Sequence, residues 1–222
     1  MKHRLRSLGF LALFIVFSAK AAPVPASLDF ALHLSRLDYP LSDGPQAINT
    51  TVKQLGVVSF DISQQTLQPG LGVGYAYASD SQQSVTAGME LEGFYIAPAL
   101  RSVLLDGHRL NVTLTATYLY QRVKDSNTDQ TVTLEWQQPQ LDLALIYRIS
   151  RPIGLLLGGQ YGRIDADEKL SGSIDQSITL QRSPTLGYRA GLDVDLGGDG
   201  HVGVLVHRAI ADGVELYFQQ LF

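Results

Sequence analysis

Side chains able to do chemistry recur in this sequence on one phase of alternating segments. Asp29, His33, Asp61, Glu90, Glu92, Asp142, Arg148, Arg189, Asp193 and Asp195 stand between apolar neighbours, and His207 follows Val206 on the same pattern. On an extended strand such residues project from one face. If the sheet closes on itself, opposite charges gathered inside pair and fill the space. The expected network is Glu90, Glu92, Asp142, Arg148, Arg189 and Asp193, with Glu90 or Glu92 held by Arg189. An unfilled interior with the same charges would instead gate a water path.

Other constellations imply less. His33 and Ser35 share a face, but a serine nucleophile needs its base within hydrogen-bond reach and an acid to orient that base. Residues two apart on one strand are only loosely close, and the flanking sequence supplies no confirming context. No catalytic residues are assigned, and the chain is not expected to be an enzyme. Asp165, Asp167 and Glu168, with Asp175 further on, match no calcium-loop spacing and read as a solvated acidic loop. The chain has no cysteine, which removes thiolate metal sites and thiol nucleophiles. No metal or cofactor is expected. Gly72 and Gly74, then Gly154, Gly158 and Gly162, precede no helix, so they do not form a phosphate loop. Their small size makes room for long side chains opposite.

The elements that must position these residues are strands. Apolar residues alternate with polar ones at Leu28–Leu34, Val58–Ile62, Leu71–Tyr77, Val85–Tyr95 and Leu110–Tyr120. The pattern continues through Val132–Tyr147, Ile153–Tyr161, Leu186–Leu196, Val202–Val206 and Val214–Phe222. Within the sixth segment the phase slips at Gln137-Gln138-Pro139, which predicts a bulge. No helical period competes and no linker divides the chain. These segments predict an all-β fold, an antiparallel transmembrane up-and-down β-barrel of about ten strands, with eight or twelve as the neighbouring even numbers.

Connections alternate in character. Asp38–Thr51, Ser79–Ser84, Lys124–Thr131 and Asp165–Ser177 are polar and mostly long, whereas Ile149–Pro152 and Gly197–Gly200 are short; Pro98–Gly107 is a longer exception. Long loops on the outer side and short turns on the other place both chain ends at the inner side. Tyr39, Tyr77, Tyr120, Tyr161 and Trp136 then fall at outer strand ends, and Phe60, Tyr95, Tyr147 and Phe222 at inner ends, which predicts two aromatic girdles.

The N-terminus reads as an export signal, with Lys2, Arg4 and Arg6 before the apolar run Leu8–Phe17 and a small-x-small site at Ala19-Lys20-Ala21. Residues 1–21 are therefore expected to be removed, leaving a barrel over 22–222. The whole chain carries a net charge of −4. The removed segment takes four of the basic residues and no acid, so the mature chain is more acidic still. No basic patch suggests a nucleic-acid partner.

The signal segment and the final strand Val214-Glu215-Leu216-Tyr217-Phe218-Gln219-Gln220-Leu221-Phe222 resemble those of small bacterial outer-membrane β-barrel proteins, the OmpA-like and OmpX-like class. The resemblance implies that Val214, Leu216, Phe218 and Phe222 form an insertion signal read by the barrel-assembly machinery; Gln220 departs from the pattern. It also implies a place in the bacterial outer membrane, among its lipids and lipopolysaccharide. Arg36, Arg122, Arg163, Arg182 and Arg208 fall near outer strand ends on the apolar phase. Near an interface the cost of such charges almost vanishes, and a guanidinium can bind phosphate bidentately. They are candidates for lipopolysaccharide contact, with ordinary snorkelling as the alternative. The expected role is a largely closed barrel serving envelope integrity or surface interaction. A narrow pore for small polar solutes is the alternative, and an envelope enzyme acting on lipid the third.

Overall fold

The computed structural model describes residues 28–43, 46–63, 66–80, 89–126, 129–173 and 175–222. The export segment 1–21, its cleavage site, and Val85 and Ala87 of the fourth alternating segment lie outside the described residues.

Ten antiparallel strands form one closed ring. They are β1 (Leu28–Asp43), β2 (Gln46–Asp61), β3 (Leu67–Asp80), β4 (Leu91–Asp106), β5 (Leu110–Ser126), β6 (Gln130–Arg148), β7 (Ile153–Gly172), β8 (Gln176–Gly197), β9 (Gly200–Arg208) and β10 (Asp212–Leu221). Each pairs with its neighbours in chain order, and β10 returns to β1. At the closure Leu28 and Phe222 exchange both backbone hydrogen bonds, at 3.0 and 2.8 Å. Both ends of the described chain thus sit at one rim, the one expected to face inward.

The two faces of the wall exchange character part-way along. In β1 the inward side chains are Asp29, His33 and Ser35, then Leu37, Tyr39 and Leu41. The outward ones are Leu28 and Leu34, then Arg36 and Asp38. β6 changes in the opposite chain direction: Val132, Leu134 and Trp136 are buried inside, whereas Leu141, Leu143 and Tyr147 are exposed outside. One half of the barrel is therefore polar within and apolar without, as a wall in lipid requires. The other half is apolar within and polar without, as a wall in water requires.

This inversion corrects several sequence expectations. There is no bulge at Gln137-Gln138-Pro139, because β5 and β6 keep one register from Leu110↔Tyr147 to Ser126↔Thr131. The slip marks the point where β6 passes from water to lipid. Register shifts lie instead at Val103/Leu105 on β4, at Asp195/Gly197 on β8 and between β7 and β8 at Gly162/Ile164, the last close to Pro184, which cannot donate to a ladder. Strands also replace three of the expected outer loops: β1 runs to Asp43 before β2 begins at Gln46, β5 runs to Ser126 before β6 begins at Gln130, and β7 runs to Gly172 before β8 begins at Gln176, while most of Ser79–Ser84 lies outside the described residues. Pro98–Asp106, expected as a connection, belongs to β4. Tyr39 and Trp136 are buried inside the water-side half, and Phe60 inside the other, so none of them belongs to a girdle. Tyr95 also points inward, against Gly56, where a Cβ would lie 1.7 Å from its hydroxyl. Tyr75, Phe94, Tyr118, Tyr161 and Tyr188 are exposed on the outside towards the outer boundary, and Tyr147 and Phe222 towards the inner one.

The ring also changes strand number. β9 and β10 stop at Arg208 and Asp212, where their last partners are Tyr188 and Asp38. Beyond that level β1 meets β8 directly at Ser42↔Gln181, and the Ser42 hydroxyl donates to the Gln181 carbonyl at 3.0 Å. Ten strands cross the lipid and eight continue above it. The two newly exposed edges carry Pro40 and Pro184, residues that offer no N–H to a foreign strand.

Candidate functional site

The interior of the lipid-level half is a stack of charged groups, each held by a neighbour across the wall. Nearest the inner rim, the Arg101 guanidinium donates to Asp29 at 2.5 Å and, through Nε, to Gln68 at 2.7 Å. It lies 4.2 Å from the Phe60 ring centroid, a favourable cation–π position. Gln219 donates to both oxygens of Asp29, at 2.8 and 2.9 Å. Next, Asp193 accepts from Arg148 and, at 2.6 Å, from the Tyr217 hydroxyl, with His201 Nδ1 at 3.4 Å. Further out, Glu215 lies between two imidazoles, His33 Nδ1 at 2.6 Å and His207 Nε2 at 3.0 Å. Arg189 on β8 reaches Asp142 on β6 at 2.5 Å.

Glycines on the inward face accommodate these long side chains. A Cβ at Gly158 would lie 2.9 Å from Arg189 Cγ, and one at Gly203 would lie 2.3 Å from the Tyr217 ring. A Cβ at Gly154 would sit 3.2 Å from the Arg148 guanidinium. Alanine at Gly158 or Gly203 would force its partner to move.

Above the charged stack the interior becomes apolar. Leu41, Ile48, Val52, Val123, Val132, Leu134, Trp136, Ile164 and Leu180 are fully buried there. Tyr39 on β1 and Trp136 on β6 meet edge to face, ring centroids 4.8 Å apart and planes at 74°. At this level β9 and β10 have ended, so β6 stands three steps from β1 by way of β8 and β7, and five by way of β2 to β5. The two rings therefore touch across the interior of the barrel.

Of the expected network, Asp142, Arg148, Arg189 and Asp193 face inward and are joined in pairs. Glu90 and Glu92 do not belong to it. Both are exposed on the outside of the wall, where Glu92 accepts from the Tyr75 hydroxyl. Their segment changes phase on leaving the lipid, so Met89 and Leu91 are the buried residues there. Arg189 consequently pairs with Asp142, not with a glutamate of β4. Asp61 is exposed at the inner rim, bound to the Ser63 N–H at 2.9 Å. Arg101 and Glu215 are interior charges absent from the expected set. Arg101 sits where a connection was expected; Glu215 was legible from its position between Val214 and Leu216, on the face opposite the insertion residues.

Val214, Leu216 and Phe222 are exposed on the outer face of β10, and Phe218 shares that face by alternation. Arg36, Arg122, Arg163 and Arg208 lie on the outside at the water boundary. Arg182 does not. It turns into the junction of three elements and donates to the carbonyls of Pro40, at 2.6 Å, and Ala209, which removes it from the lipid-contact set. His33 is turned to Glu215, with no bond to Ser35. Asp165 and Asp167 face outward while Glu168 is buried inward, so no acidic cluster forms. Among the described residues, no three His, Cys, Asp or Glu side chains are grouped to hold a metal ion.

No protein-family model matches the chain, and no curated protein matches it. Solved structures do. An outer membrane channel from Pseudomonas putida F1 is similar at TM-score 0.50 and 12% identity, over 91% of this chain and 97% of that one. The outer membrane protease OmpT from Escherichia coli is similar at TM-score 0.49 and 10% identity, over 89% and 96%. The attachment invasion locus protein Ail of Yersinia pestis gives 0.41 and 12%, over 88% and 96%. Together with the apolar outer band, the likeness to the channel establishes the fold of an outer-membrane β-barrel.

Proposed function

We propose that this chain is a non-enzymatic outer-membrane barrel with a shut lumen, serving envelope integrity or surface interaction through a stiff β wall that stands in water above the membrane. The observation that carries the reading is the contact of Tyr39 with Trp136 across the barrel interior, within a buried apolar layer. Below it, charges that could line a water path are spent on one another: Arg101 with Asp29, Arg148 with Asp193, Arg189 with Asp142. A selectivity filter needs such groups turned to an open passage. β6, β7 and β8, of 19, 20 and 22 residues, are much longer than the roughly 9–11 residues a tilted strand needs to cross lipid. Their excess length forms the projecting wall.

In this reading the outer-facing residues of β10 serve as the insertion strand, and the outer-boundary cations lie at the level of the outer-leaflet headgroups. Conductance of the purified full-length mature protein in planar bilayers tests the closed lumen. Silent membranes containing folded protein are expected. Reproducible ohmic steps would overturn the proposal in favour of a narrow pore.

A further inference from the structure

Where the outer wall passes from lipid to water, the first charged residue on several strands is a cation. Arg36 follows Leu34 on β1, Lys53 precedes Leu55 on β2, Arg122 follows Tyr120 on β5, Arg163 follows Tyr161 on β7, and Arg208 follows Val206 on β9. Most of these cations have a carboxylate. Arg122 lies 3.5 Å from Glu135, Arg163 3.1 Å from Asp165, and Arg208 3.6 Å from Asp212. Among the described residues, no carboxylate lies within ion-pair distance of Arg36 or Lys53.

These two are direct cross-strand partners in the β1–β2 ladder. Like charges directly opposite one another are destabilising, and both are exposed. Lys53 rests its ammonium 5.1 Å from the Tyr77 ring centroid, an uncharged neighbour. The nearest carboxylate along β1, Asp38, accepts from the Thr51 hydroxyl at 2.5 Å. Towards the lipid, the same outer face carries the pairs Leu34↔Leu55 and Leu32↔Val57. Two opposed cations thus stand directly above an apolar strip of the same two strands.

We infer that Arg36 and Lys53 form a binding site for the phosphate of an acylated headgroup in the outer leaflet, whose acyl chain lies along Leu32, Leu34, Leu55 and Val57. The guanidinium fork fits two phosphate oxygens, while the ammonium acts as a compact point charge beside it. An anion between the two replaces their repulsion by two attractions. The inference rests on the outer-membrane reading above, and it commits to a lipid-borne phosphate because the apolar strip has no use for a free ion.

The test uses full-length mature protein purified in a non-ionic detergent, with thermal unfolding followed on adding bisphosphorylated lipid A, dephosphorylated lipid A, or inorganic phosphate. Wild type is expected to gain several degrees with the bisphosphorylated lipid alone. R36Q/K53Q is expected to need at least tenfold more lipid for the same shift, while R122Q/R163Q responds like wild type. Arg36→Glu supplies a second, independent readout: it places opposite charges across the ladder, so this variant should be no less heat-stable in plain detergent and yet lose the lipid response. Equal weakening in both double variants would overturn the site in favour of a diffuse basic rim. A response to inorganic phosphate matching that to lipid would overturn the lipid assignment. Destabilisation of R36E in plain detergent would show that Arg36 serves the fold. Fractionation of the wild-type cells keeps the two readings apart, since absence from the outer membrane sinks the location, whereas presence there with an unaltered R36Q/K53Q response sinks only the site.

Discussion

Tyr39 and Trp136, on strands that do not pair, approach across the barrel interior to 4.8 Å between ring centroids. An edge-to-face pair of this kind contributes about 0.5–1.5 kcal/mol beyond area burial. Its larger consequence is geometric, because two rings touching across the interior leave no passage between them. Replacing Trp136 by Ala removes a side chain that is only 2% exposed, and large-to-small changes of this kind cost ~3–5 kcal/mol. Urea unfolding of the W136A variant should show that loss. Leu41, Ile48 and Leu180 remain in the same buried layer, so the variant should still conduct no current. A conducting W136A barrel would mean that the plug is a single residue thick.

The interior charges make a sharper contrast. Arg189→Ala leaves Asp142, 8% exposed, without its cation, and breaking a dry pair costs about 3–5 kcal/mol. Glu90→Gln and Glu92→Gln alter exposed outer-face residues, where changes usually stay within about 0.5 kcal/mol. The double change R189M/D142L should recover most of the stability lost in R189A, since an apolar pair of similar volume avoids the unpaired charge. Equilibrium unfolding of the four variants in one detergent decides this. A large effect of E92Q matching that of R189A would contradict the outward placement of Glu92.

How much of this was legible in the sequence follows from the alternation itself. A period of two reports which residues share a face, but not which face is inside. In the lipid-level half the apolar set is outside, and Leu28–Leu34, Leu141–Tyr147 and Val202–Val206 were assigned the right side for that reason. In the water-level half the medium reverses. Val132, Leu134 and Trp136 look the same in sequence as Leu141, Leu143 and Leu145, yet face inward. The sign of the reversal is an odd step in the apolar series: Leu34 to Leu37 on β1, Leu91 to Phe94 on β4, Trp136 to Leu141 on β6. Each lies where a strand crosses the outer boundary. Reading that step as a bulge, or continuing one phase through it, displaced Glu90, Glu92, Tyr39 and Trp136 to the wrong side. Arg182 has a different cause. A local irregularity between β7 and β8 changes which residues of β8 face inward, and no periodicity spans it.

The closing strand offers a test of assembly. Phe222 exchanges two backbone hydrogen bonds with Leu28 and leaves its ring exposed on the lipid side. Deleting it removes both the closing pair at the inner rim and the terminal aromatic of the β10 outer face. Outer-membrane levels of the truncated protein should fall several-fold, and the fraction that resists unfolding in unboiled gel samples should fall with them. Normal levels of heat-modifiable protein would show that Val214, Leu216 and Phe218 suffice for insertion.

The seam where ten strands become eight gives the last prediction. Above the β9–β10 turn, β1 and β8 share a single paired position, Ser42↔Gln181. The Arg182 guanidinium bridges the seam from below, binding the carbonyl of Pro40 on β1 and that of Ala209 in the turn. Ala209 is held at φ 80°, a left-handed conformation that alanine rarely adopts, and Ile210 and Ala211 beyond it are tucked inside, 3% and 5% exposed. Hydrogen bonds from a charged donor are each worth about 1.5–3 kcal/mol, so Arg182 is the main polar tie between the turn and the upper wall. In Arg182→Ala the turn should loosen locally while the rest of the ladder is unchanged. Hydrogen exchange read by mass spectrometry should quicken in peptides covering 40–43, 178–183 and 207–212, with protection elsewhere as in wild type. Ala209→Gly relieves the backbone strain without touching the guanidinium, so it should not quicken exchange in these peptides. If R182A exchanges like wild type but loses its stabilisation by bisphosphorylated lipid A, Arg182 faces the lipid after all, and its place in the seam is wrong.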